Sequence, residues 1–453
     1  MSAEEELLRL RQRVKDLEEE VQRLGELRHQ SVRELNDGNQ PRNERKRRPQ
    51  RPFDFSAHPK QHVALRLAYL GWGYQGFASQ ENTMNTVEEV VFAALTKTRL
   101  VEKRQTSNYH RCGRTDRGVS ALGQVISLDL RRSPEGSAEI RYAHILNRVL
   151  PPDIRVLSWA VVPQTFSARF SCRSRTYRYL FPRAQLDVDK MDCAARLLEG
   201  THDFRNLCKM DVANGVLNFT RTVLSACVGP VPEFQGDPGP FQLYHLQITG
   251  LAFLYHQVRC IMGVLFLIGQ GREDPEVIRD LLDVQTNPRK PHYNMAVELP
   301  LVLYDCHFDD VQWVTEKEAH GVTVSHMQRL WSQEAIKTHI LYMSLSLLDS
   351  VPVTNETGIV LMSRVWSLCN TLVYDQSSGL IEGVSARTYT PLMKRHLCQG
   401  LDERLQHYVR RGKLKPAPCY RAGTAEREQT TSNIDCTSEA ANKESEIVLT
   451  VLF

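Results

Sequence analysis

The chain lacks the short-range signatures of a metal site. Its eleven cysteines include no Cys-x-x-Cys pair. Cys193, Cys227 and Cys260 stand among apolar neighbours and read as buried thiols. This pattern predicts a reducing compartment, no zinc site and no bound metal. Long apolar runs are also missing. None is long enough to span a bilayer, and the charged N-terminus has no signal-peptide core. The expectation is a soluble, intracellular protein with no membrane partner. Net charge is scarce too, at +4. Such a balance neither demands nor excludes a nucleic-acid partner, so the local distribution of charge must decide.

What is present is ordinary globular material, 42% hydrophobic and 24% charged over 453 residues, with room for two or three domains. Leu7, Leu10, Val14, Leu17, Val21 and Leu24 recur three and four residues apart. They read equally as a coiled-coil seam of about three heptads or as a solvated charged helix. A polar linker comes next, carrying the basic block Arg45-Lys46-Arg47-Arg48. That block suits a nuclear import signal, a loose phosphate contact or a merely soluble linker.

The globular part begins near Gln61. Val63, Leu65, Leu67 and Tyr69 alternate as one buried face of a strand. A glycine-rich turn, Gly71 to Phe77, leads to a helix that opens on a Thr86/Glu89 capping box. The Asp116 loop and its strand, a helix at about 139–149 and a strand at about 154–162 complete a β-α-β-α-β half. A second set comes after it. It has an extended stretch at 166–181, a helix at 190–199, and strands at 221–228 and 241–249. An apolar helix at 256–269, a shorter helix after Asp274-Pro275 and a strand at 301–308 close it. The similar order of the two sets suggests an internal duplication. Beyond Asp310 the spacing predicts a helix over 327–348 and a short amphipathic helix over 401–414. The chain after Pro416 reads as disordered.

Three clusters stand apart from core packing. In the first, Asp116 lies on a turn beside Arg111, Arg114 and Arg117. Nearby guanidiniums favour an ionised carboxylate, which suits a nucleophile or base better than an acid. Asp before Gly118 is also ordinary turn chemistry. In the second, Tyr177 and Tyr179 share one face of an extended segment while Arg178 takes the other. Aromatics interleaved with arginine suit base stacking and phosphate contact, and equally a half-buried strand. In the third, Arg259 opens an apolar helix. It needs a partner, for which Asp116 is a candidate, or an escape to the surface.

Gly113-Arg114-Thr115-Asp116, Gly118-Val119, Ala121 and Gln124-Val125 resemble the signature of the TruA family of tRNA pseudouridine synthases. The resemblance extends in order through Tyr74 to Gln80, the Tyr177 segment, Phe253 to Gly263 and the strand at Leu301, covering about residues 61–308. Ala78 departs from it, standing where bacterial members usually have Gln. Tyr74 to Gln80, Ser107 to His110, Gly200 to Asn214 and Arg387 to Leu401 look like the eukaryotic branch, which modifies positions 38 and 39 of the tRNA anticodon stem-loop. The resemblance implies an α+β fold: two ferredoxin-like (RRM-like) halves with joined antiparallel sheets and a central catalytic cleft. An N-terminal helix and a helical C-terminal extension would flank it. It implies Asp116 as catalytic aspartate, and Arg114 and Tyr177 holding the flipped uridine. It further implies Arg259 pairing with the carboxylate, homodimerisation, and no cofactor. Tyr74, Arg111, Arg117, Arg173 and Arg175 are the expected RNA contacts, and nucleus and cytoplasm the expected locations. The domain division reads 1–30 charged helix, 31–60 basic linker, 61–165 and 166–309 catalytic halves, 310–415 extension and 416–453 tail. The competing reading is a non-catalytic tRNA-binding or tRNA-folding protein on the same scaffold.

Overall fold

The computed structural model describes residues 53–232, 239–349, 353–354, 360–361, 380–381 and 388–412. The chain forms two compact units, Met1–Asp54 and Phe55–Phe453, and the second holds the sheet and the helices described. The coiled-coil seam, the basic block and the tail after Pro416 lie outside the described residues, as does most of 351–383.

Nine strands form one sheet. They are β1 (Lys60–Tyr69), β2 (His110–Arg111), β3 (Ser120–Arg131), β4 (Ile154–Val161), β5 (Ser174–Pro182), β6 (Gly200–Asp203), β7 (Thr220–Pro230), β8 (Leu243–Gly250) and β9 (Leu301–His307). Their order is β4-β1-β3-β9-β5-β8-β7-β6, with β2 also on β3. Pairing is antiparallel everywhere except at the seam between the halves. There β3 and β9 run parallel through Ser120↔Val302 and Ala121↔Leu303. The strands pair antiparallel within each half, as expected, and the join between them is a short parallel contact.

Seven helices are described: α1 (Val87–Lys97), α2 (Tyr142–Asn147), α3 (Val188–Arg196), α4 (Gln257–Gly269), α5 (Val277–Leu282), α6 (Lys317–Asp349) and α7 (Leu401–Arg410). Two cores result. Leu65, Leu67, Val91, Leu95, Tyr142 and Leu146 join β1, β3, β4, α1 and α2 in one. Met191, Leu246, Ile248, Ile261, Leu265 and Ile278 join α3, α4, α5 and the second set of strands in the other. Tyr177 packs against both.

Three local expectations are corrected. Thr86 caps α1 by accepting from the Glu89 N–H, but the Glu89 carboxylate binds Ser79 and Arg104 instead of closing the box. Cys193 is exposed and Cys227 half-buried; only Cys260 of the three is buried. The helix expected at 327–348 begins ten residues earlier, at Lys317. Gly321 and the β-branched Val322, Thr323 and Val324 weaken its first turns in sequence. Docking supplies what propensity does not: Ala319 and Thr323 are buried, and Glu316 just before the helix accepts from Trp159 Nε1 at 2.9 Å. No helix among the described residues is long and apolar enough to cross a membrane.

Candidate active site

The Asp116 loop links β2 to β3 and is pinned by its own half. Gln124 holds Gly113 on both sides, accepting from its N–H at 3.2 Å and donating to its carbonyl at 3.0 Å. Thr115 Oγ1 lies 2.7 Å from the buried Tyr69 hydroxyl, and its carbonyl accepts from Phe77 N–H. The Gly118 N–H donates to Tyr74 O at 3.2 Å. The glycine-rich turn can thread beneath this loop because Gly71 has no Cβ; one there would strike the Val119 carbonyl. Gly118 has φ +76, and a Cβ on it would stand 2.8 Å from Glu298 Cγ.

The other half surrounds the carboxylate. His256, in the left-handed region at φ 58, caps α4 and places Nε2 3.5 Å from Asp116 Oδ2. One turn into α4, Arg259 is 7% exposed. Its Nε donates to Ala296 O at 2.9 Å and its Nη2 to Glu298 Oε2 at 2.7 Å. Glu298, not Asp116, is therefore the direct partner of Arg259, and the expected Asp116–Arg259 pair is corrected. A segment leading into β9 supplies Glu298 within reach of the helix, which sequence order alone does not reveal.

The electrostatics also differ from the sequence expectation. Burial pushes the Asp116 carboxyl up to about 6, Arg259 opposes the rise, Glu298 adds to it and Lys209 opposes it. The clustered arginines of its own loop are not what governs it. Arg111 instead serves Glu88, whose side chain is 1% exposed, at 2.6 Å. Arg114 and Arg117 are exposed. The Arg114 guanidinium is lowered by burial and then by Arg111 and Arg169, which marks a local concentration of positive charge. His256 is pushed down to about 4, by burial and then by Arg259, Lys209 and Lys290. It is neutral at physiological pH, so its approach to Asp116 is a dipolar contact and not an ion pair. Asp116 is largely ionised above pH 6 and has the strength of a base or a nucleophile near neutrality.

Tyr177 lies on β5, with its ring edge-on to Phe253 at 5.2 Å between centroids, and burial raises its hydroxyl far above the usual phenol range. Arg178 turns to the opposite face and stacks on Tyr304 at 3.7 Å. Asp116, His256 and Arg259 are thus brought together. Tyr74 is buried and donates to Asp153 at 2.8 Å. Arg173 is exposed beside Asp309. Arg175 is half-buried, donating to the carbonyls of Leu251, Cys112 and Arg169. Lys209 and Glu298 are not among the sequence candidates. Each is an isolated charge in an unremarkable segment, and only the fold brings them to Asp116. The fold also gathers Cys112, Cys172 and Cys306, with sulfurs within 4.8 Å of one another. The spacing argument against a zinc site reaches only ligands close in sequence and misses this trio.

Similarity to known proteins gives the class of protein to which this sheet and this aspartate belong. The family model described as "tRNA pseudouridine synthase" matches residues 194–309. The human "tRNA pseudouridine(38/39) synthase" is 55% identical over 449 residues, covering 94% of this chain and 92% of the relative. The Saccharomyces cerevisiae protein of the same name is 43% identical over 286 residues, 60% of this chain and 63% of that one. The "tRNA pseudouridine synthase A" of Methanosarcina mazei is 34% identical over 256 residues, 56% and 87% respectively. The chain belongs to the TruA family of tRNA pseudouridine synthases.

Proposed function

We propose that the chain isomerises uridine to pseudouridine at positions 38 and 39 of the tRNA anticodon stem-loop, with Asp116 as the catalytic carboxylate. The observation that carries this reading is the Asp116 carboxyl at the seam, raised to about 6 by burial with Arg259, Glu298 and Lys209 of the opposite half around it. The target base leaves its stack at a cost of a few kcal/mol. Arg114 and Tyr177 hold it out, and the exposed positive surface at Arg114, Arg117 and Arg169 meets phosphates. Asp116 then attacks C1′, adds to the uracil ring or removes the ribose 2′ proton, and the detached uracil rejoins through carbon. Each half is ferredoxin-like in this reading. The strand orders β4-β1-β3-β2 and β9-β5-β8-β7 support it, since the two correspond element by element. A homodimer, shared between nucleus and cytoplasm, completes the proposal.

The test is pseudouridine formation on an anticodon stem-loop with uridine at position 38 or 39, wild type beside Asp116→Asn. Product from wild type alone supports the assignment. Binding without product from either protein would favour a non-catalytic tRNA-binding protein.

A further inference from the structure

Three cysteines from distant segments converge where the halves meet. Cys112 precedes Asp116 by four residues, Cys172 leads into β5, and Cys306 lies on β9. Cys112 and Cys306 are buried and Cys172 is half-buried as a residue. At rest the Cys172 thiol donates to Ser174 O at 3.3 Å. We propose that Cys112, Cys172 and Cys306 form a three-thiolate site for a zinc ion that clamps the Asp116 loop to β5 and β9.

Ligand chemistry points to a thiophilic cation, because three sulfurs and no oxygen donors select zinc over magnesium or calcium. Geometry permits it. Zinc–sulfur bonds of about 2.3 Å place tetrahedral ligand sulfurs about 3.8 Å apart. The sulfurs already lie within 4.8 Å of one another, an ångström beyond that spacing at most. Charge points to a divalent ion. The half-buried Arg175 donates to the Cys112 carbonyl and, among the described residues, has no carboxylate within ion-pair distance. Three thiolates, one guanidinium and one divalent cation sum to zero, which a buried site requires. Binding releases three thiol protons to solvent. Zinc exchanges three of its waters for sulfur and keeps a fourth ligand position for water. The bonds would reinforce the join between the halves, where β3 and β9 pair over two residues and Arg175 donates to the Cys112 carbonyl.

The experiment uses the full chain, reduced and free of oxygen, titrated with zinc against a chromophoric chelator and separately with cobalt(II). The expected result is one equivalent per chain, and a cobalt complex with a thiolate charge-transfer band. Affinity should fall at least about 100-fold in Cys172→Ser, the most accessible ligand and the least disruptive change. Exposed Cys193→Ser should bind as wild type. Zinc should raise the melting temperature of wild type and not of Cys172→Ser. Equal zinc affinity in Cys172→Ser, a cobalt complex without the thiolate band, or no stoichiometric binding would each overturn the proposal. None of these readouts depends on tRNA turnover, so failure here and failure of the isomerase reading are separate events.

Discussion

The two halves of the sheet contribute unlike things to the site. The first half holds the proposed catalytic carboxylate on a loop fastened by backbone and buried side-chain hydrogen bonds to Gln124, Tyr69 and Tyr74. The second half supplies the charges that modulate its burial-raised pKa, Arg259, Glu298 and Lys209, and places the neutral His256 beside it. The anchors of the loop and the charges that modulate its carboxylate thus stand on opposite sides of a seam whose parallel contact is two residue pairs long. A motif can specify where a carboxylate stands, while its pKa is a property of the assembled fold.

The contrast can be broken at either side. Asp116→Asn should lower product formation by at least about 10²–10⁴-fold with tRNA affinity nearly unchanged, as read by single-turnover kinetics beside a binding titration. The same change bears on stability. A carboxyl raised from 3.8 to about 6 binds its proton more tightly when folded. Its folded state is therefore favoured below pH 4, and that advantage is lost as pH rises through about 6. At neutral pH the ionised, desolvated carboxylate costs about 3 kcal/mol. Asp116→Asn should accordingly be more stable than wild type at pH 7, and the gap should close between pH 6 and 4 in denaturant titrations. A variant less stable at pH 7 would contradict the desolvation argument.

Gly118→Ala probes where the halves touch. A left-handed φ costs a non-glycine residue about 1–2 kcal/mol, and the new Cβ meets Glu298. A lower melting temperature and a displaced pH–rate profile should appear together. The smallest effect belongs to Arg173, remote from the carboxylate. Its exposed pair with Asp309 contributes at most about 1 kcal/mol to folding. If it meets a phosphate, Arg173→Ala should reduce the slope of log affinity against log salt by about 0.9 and leave the chemical step alone.

Sequence makes the first half more legible than the second. The Asp116 loop, its strand and the alternation in β1 follow from local pattern, and helix α4 follows from its apolar run. What stays hidden depends on contacts across the sheet. The Arg259–Glu298 pair spans 39 residues, and the three cysteines span nearly two hundred. The arginines flanking Asp116 in sequence suggest a lowered pKa. The chain turns them elsewhere, as with Arg111 and its buried Glu88, and burial outweighs the remaining charges. The start of α6 is illegible because docking of Ala319 and Thr323 offsets weak propensity, which no window of sequence contains.

The most direct test is the pH–rate profile of single-turnover pseudouridine formation in wild type and Glu298→Gln. Glu298 raises the Asp116 pKa and occupies Arg259, so its neutralisation should move the acidic limb to lower pH than in wild type. A limb that stays in place, or an activity flat from pH 5 to 8, would contradict control of Asp116 from the opposite half.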